Sequence, residues 1–409
     1  MKHGMVKPMT QLVGSSAMPR FVTLALRAAA CAGALTLLGA NALAAGPTAD
    51  QATRMYNRIA GVPPSATVLA NMMAAQDAIA AAIMATNDPA FYNDTIRNMA
   101  APWTNRDQSV FVPLNDYTAT VIGMVRDDVP FNNLLSADIL YVADSASGVP
   151  AYSAGNNAMY QAMDDNNVDL SIHLVKSTQS ANLGIPATAA AGVMTTRGAA
   201  SAFFINGTNR AMFRFTMMNH LCSDLPTIMD ITRPPDRIRQ DVTRSPGGVS
   251  TLFLTNCIGC HSGMDPMAQA FAYYNFNNTD PTTAATMGQL VYTAGQVQPK
   301  YFINKTNFPQ GFSTPDDSWE NRWRSGPNQI MGWSAVGGSG NGAKSLGQEL
   351  AASHAFASCQ VTRVFKTVCF RAPDSQADLN QVSSMIASFE QGYVLRKVFA
   401  QSAAYCMGN

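Results

Sequence analysis

The sequence predicts a mostly α-helical fold with little β structure. Apolar residues recur at three- and four-residue steps toward both ends of the chain, capping residues precede those runs, and only one segment alternates with period two. A chain of 409 residues that is 47% hydrophobic and 13% charged has a globular composition, which excludes a disordered polymer and leaves room for one large core or two domains.

Taken in order, residues 1–44 read as an export signal. Lys2, Lys7, Arg20 and Arg27 precede or flank an apolar stretch from Ala28 to Leu38, no acid is present, and Ala42-Leu43-Ala44 has the small-x-small form of a cleavage site. The stretch is too short to span a bilayer, and no later run is long enough, so no transmembrane segment is expected after cleavage. Loss of these four cations turns the formal net charge of +1 into −3, and a nucleic-acid-binding protein would be basic.

Residues 45–245 are expected to form a mostly helical N-terminal domain. Pro63-Pro64-Ser65 is a stop and a cap, and Val68, Met72, Ile79 and Ile83 share one face of the helical hairpin that follows. A helix beginning at Asp116 carries Tyr117, Val121 and Val125, and Pro130 ends it ahead of the apolar residues 134–142. Val168, Leu170, Ile172 and Leu174 alternate with Asp169, Ser171 and His173, which predicts a half-buried strand with His173 on its solvated side. The proline- and arginine-rich stretch 230–248 reads as a linker or surface arm, and 336–343 as a polar glycine loop. Residues 246–409 form the second helical domain, ending in stripes at Val361, Val364, Phe365 and Val368 and at Leu379, Val382, Ile386 and Phe389.

The chemistry is concentrated at Cys257-Ile258-Gly259-Cys260-His261. This is C-x-x-C-H, the attachment pattern of a c-type haem. Two thiols one helical turn apart can each add to a vinyl group on one porphyrin edge, and the next residue then offers its imidazole to the iron. Cys257, Cys260 and His261 are therefore the expected haem-binding residues, with one covalently attached haem c as the cofactor. A thioredoxin-like redox pair would need a preceding β/α pattern, which is missing. A zinc ribbon would need a second close cysteine pair, and Cys359 and Cys369 are ten residues apart. A chance match in a disulfide-forming protein is the third alternative.

Cys31 leaves with the signal, and Cys222, Cys359, Cys369 and Cys406 remain beside the motif pair. An oxidising compartment favours their pairing, and of the three possible connectivities Cys369 with Cys406 and Cys222 with Cys359 is preferred. The sixth iron position decides between a carrier and a haem with an open site. Met331 is the leading candidate, Met287 the second, and His354 and His220 are further options. Met264 follows His261 too closely to reach the opposite face, and is expected to pack on the haem. Arg322 or Arg324 could pair with a propionate, with Trp319 and Trp323 and the aromatic run Phe271, Tyr273, Tyr274 and Phe276 as walls.

The extended motif Cys257-Ile258-Gly259-Cys260-His261-Ser262-Gly263-Met264-Asp265-Pro266 resembles the planctomycete-type cytochrome c family, whose pattern is C-x-x-C-H-x-x-M-D-P. Residues 130–138, reading P-F-N-N-L-L-S-A-D, resemble a segment of that family, as do Arg197-Gly198 through Leu221-Cys222 and the tail from Phe356-Ala357-Ser358-Cys359 onward. The resemblance covers residues 115–409 and departs after Pro266, where Met267-Ala268-Gln269-Ala270-Phe271 replaces the family's glycine and acidic run. It implies a mostly helical exported haem protein with a cytochrome c-like C-terminal domain, and implies no substrate.

The function expected is a periplasmic, cell-surface or secreted monohaem cytochrome that passes single electrons to or from a redox partner protein. An electron carrier is favoured over a catalytic oxidoreductase. The alternatives are a haem-dependent peroxidase or oxygenase, and a surface or binding protein with a structural haem.

Overall fold

A computed structural model describes residues 46–408 apart from 244 and 246–248, so the expected export signal lies outside the described residues. The fold is mostly helical, with 53% of residues in helices and 7% in strands. Helix α1 (Ala49–Ala60) starts at Thr48, whose side chain accepts from the Gln51 N–H while Gln51 accepts from Thr48, and it stops at Gly61 with φ +76°. Each of these contacts satisfies a backbone group that a helix end would otherwise leave unpaired. Helices α2 (Ala66–Met73) and α3 (Ala78–Ala85) follow, capped by Ser65 and Asp77.

The stripe expected through Val68, Met72, Ile79 and Ile83 does not survive as one face. The chain turns at residues 74–77, Met72 is buried, Ile79 is exposed, and α3 instead buries Ala81, Ala82 and Ala85. An Asp77 cap restarts the helix with a new phase.

The C-terminal helix Leu395–Cys406 packs on α1, α3 and the helix His354–Cys369, bringing the two ends of the described chain into one layer. One hydrophobic core, from Ala52 to Ala403, draws residues from both sides of the boundary expected near 245. It includes Val361, Val364, Phe365 and Val368 from the expected C-terminal stripe, and Val382, Ile386 and Phe389 from the second. Cys222 is bonded to Cys359 across 137 residues and Cys369 to Cys406 across 37, with Cα separations of 5.3 and 5.6 Å.

Among the described residues the strands pair in antiparallel twos: β1 (Leu140–Ala143) with β2 (Leu174–Ser177), β3 (Tyr274–Phe276) with β4 (Leu290–Tyr292), and β5 (Ser318–Glu320) with β6 (Ser339–Asn341). The strand expected over 168–174 is mostly something else. Leu170–His173 is a single helical turn, and β2 begins only at Leu174. The Asp169 carboxylate accepts from the Ser171 N–H and from Asn93, and this local cap outweighs the alternation. His173 then turns to Asp144 at 3.0 Å, where the sequence placed it on a solvated strand face.

The 230–243 segment departs in part from a second expectation. Residues 231–236 do run mostly along the surface, but Asp230, Ile238, Arg239 and Asp241 are buried, because the arginine has two aspartates and an aromatic ring to meet.

Candidate functional site

Cys257 closes a π-helical turn, Phe253–Cys257, that runs directly into the helix Ile258–Ala268. The change of helix type falls within the C-x-x-C spacing, so Cys257 and Cys260 lie one turn apart. Cys257 and Ile258 pack on a small cluster of Ile238, Val242 and Phe253, whereas Cys260 packs on the main core with its Sγ 3.5 Å from the Leu225 carbonyl. Both thiols are part-buried and free. Burial, followed by the neighbouring Cys257 and Asp224, raises the Cys260 pKa, which keeps that sulfur protonated until something draws the proton away.

His261 is part-exposed, and its ring lies 6.4 Å from that of Phe253. Its Nδ1 meets the Asp265 Oδ1 at 3.1 Å, one helical turn on, and its Nε2 has no hydrogen-bond partner among the described residues. Asp265 is fully buried. Burial alone would raise its pKa, yet Arg210 and His261 outweigh it and hold the carboxyl well below the usual range.

Arg210 grips Asp265 in a fork, Nε to Oδ1 at 2.6 Å and Nη2 to Oδ2 at 2.9 Å, and grips Asp241 at 2.9 and 2.6 Å. Arg239 adds its backbone N–H to Asp265 at 3.3 Å and its Nη2 to Asp241 at 3.1 Å. One buried and one part-buried cation thus meet two buried anions, the condition under which such charges are tolerated in an interior. Sequence reasoning assigned no role to these four residues. The His261-x-x-x-Asp265 spacing was a usable signal, since i and i+4 share a helix face; Arg210, 55 positions from Asp265, had none.

Apolar side chains surround the motif without cover. Met229 and Ile231 lie against Gly259, to whose carbonyl Asp230 donates its N–H, and Leu254 sits one turn before Cys257; all three apolar side chains are exposed. The turn Pro327–Met331 is tied to the same strip, Asn328 donating to the Ile228 carbonyl at 2.8 Å, and it carries Ile330 with 88% exposure.

Met331 ends that turn and is buried, and Met264 is buried on the motif helix. Met287 is exposed and far along the chain, in a bridge with Asn156. His220 is enclosed, with its Nε2 2.6 Å from the Tyr117 hydroxyl, and His354 pairs with Glu390 at 2.8 Å. Arg324 is committed to Glu349 at 2.8 and 2.7 Å, and Arg322 to Asp236 and Glu320, so neither guanidinium is left over for a propionate. Trp319 donates to Ser345, while the Trp323 indole N–H is buried with no acceptor and packs where Gly263 has no side chain.

These residues fit a haem. The thiols are free where the other four described cysteines are paired, the imidazole has one nitrogen held and one open, and exposed apolar side chains would be covered by a porphyrin. Among the described residues, no group of three or more His, Cys, Asp or Glu side chains converges as a bare-ion cage would. No protein-family profile, curated protein or solved structure matches the chain.

Proposed function

We propose that the chain is an exported monohaem c-type cytochrome that carries single electrons. The observation that carries this reading is the pairing of two free thiols, one turn apart, with an adjacent imidazole whose Nδ1 is already taken by Asp265. The resemblance of residues 257–266 to the planctomycete-type cytochrome c pattern supports it. Cys257 and Cys260 would each add S–H across a vinyl group, so thioethers form and no atom is lost, and His261 would ligate through Nε2. Haem, when bound, supplies one-electron chemistry at its iron.

The chain's own residues do the rest. Asp265 fixes which nitrogen of His261 is free, and Met229, Ile231, Leu254 and Ile330 exclude water from the ring edge. Met331 is the proposed sixth ligand: its turn is anchored to the 228–231 strip that packs on Gly259. A periplasmic or cell-surface location and an unidentified redox partner protein belong to the same proposal.

Reduced-minus-oxidised spectra test it. The expected result is a low-spin c-type spectrum that Met331→Ala converts to a high-spin ferric one open to carbon monoxide in the reduced state. An unchanged spectrum in M331A removes Met331 as a ligand, and a high-spin wild type that reacts with peroxide replaces the carrier with a haem enzyme.

A further inference from the structure

We propose that Asp265 is a positioning residue for His261: it holds the imidazole with Nδ1–H toward a fixed carboxylate, and by adding anionic character to the ligand it lowers the one-electron potential of the bound haem. This rests on the haem reading above.

Three features of the geometry carry it. The contact is one helical turn long within a single helix, Ile258–Ala268, so its 3.1 Å distance is set by the helix itself and not by a mobile loop. The carboxylate cannot swing away, because the Arg210 fork holds both of its oxygens and the Arg239 N–H holds one of them again. Its charge is retained because the cluster is balanced without the histidine: Arg210 and Arg239 answer Asp265 and Asp241. Asp265 would therefore be satisfied by its arginine and a backbone amide alone. The bond to His261 is additional, and its direction leaves Nε2 as the nitrogen available to a metal.

A ligand imidazole whose N–H donates to a carboxylate is more basic than one donating to a neutral acceptor. Greater basicity stabilises the ferric state, and hydrogen bonding around the ligands is one of the levers that set a haem potential.

Spectroelectrochemical titration of the holoprotein tests the idea with Asp265→Asn and, as comparison, Asp241→Asn. Both remove one negative charge from the same cluster, but only the first is bonded to His261. The expected result is that D265N raises the ferrous-to-ferric ratio at fixed poise at least threefold, and more than D241N does. A shift below threefold, or one matched by D241N, overturns the assignment.

If D265N does not fold, wild type decides. In the diamagnetic ferrous state, ¹⁵N-histidine spectra should show a His261 Nδ1–H protected from solvent exchange, and a rapidly exchanging one refutes the contact. Wild-type protein with no attached haem would sink the haem reading itself, and with it this inference. A haem-bearing wild type with an unresponsive D265N sinks this inference alone.

Discussion

Two histidines in this chain live in opposite surroundings, and the contrast shows how a fold marks a reactive group. His220 ends the helix Arg210–His220 deep in the core, where its Nε2 meets the Tyr117 hydroxyl at 2.6 Å and the Trp103 ring packs edge-on at 5.2 Å. Two residues on, Cys222 is locked to Cys359. His261 stands beside two cysteines that form no disulfide, with one nitrogen pinned and the other open. In the first region the His220 Nε2 and the cysteine sulfur have protein partners and the unpartnered Nδ1 is sealed in the core; in the second, an open imidazole nitrogen and two unpaired cysteines are part-exposed beside exposed apolar side chains. Unpaired groups that solvent can reach are available to a ligand, whereas the same residue types in the closed region are out of reach.

Cutting the cross-links of the closed region should produce the largest loss. On loop-closure entropy, C222A/C359A costs about 5 kcal/mol for its 137-residue separation and C369A/C406A about 4 kcal/mol for 37 residues, read from urea midpoints. Replacing Cys257 and Cys260 leaves both cross-links intact, so that variant should keep the helical signal while losing the site. Equal losses from all three pairs would break the comparison.

A smaller effect should come from His220. Burial first, then Arg363, hold its pKa well below the ordinary histidine value, so the folded chain keeps it neutral. Below the unfolded value of about 6.5, the unfolded chain binds a proton that the native chain refuses, and stability falls as pH drops from there toward the folded value. The expected slope is up to about 1.4 kcal/mol per pH unit between pH 6 and 5. H220Q should flatten it, measured as ΔG of unfolding against pH; an unchanged slope would mean that His220 is not the group responsible.

Much of the fold was legible because its signals are local. The Ser65 cap, the helix opening at Asp116 and the stripe at Val361, Val364, Phe365 and Val368 each depend on residues within a turn or two of one another. The failures share a cause as well. The alternation at 168–174 is overruled by the Asp169 side chain, and Arg239 is buried because Asp241, Asp265 and the Tyr301 ring, 4.2 Å away, come together around it. At the site, the five contiguous residues 257–261 were readable, and so was His261 as the candidate ligand. The support behind it was not, since Arg210 reaches Asp265 across 55 positions and only the folded chain brings them together.

The central claim is covalent, so mass spectrometry of the polypeptide isolated after export tests it most directly. The account predicts one tetrapyrrole added per chain, carried on the peptide that contains Cys257 and Cys260 and lost in C257A/C260A. A chain that leaves the cytoplasm with both thiols unmodified, or joined to each other as a disulfide, would contradict it.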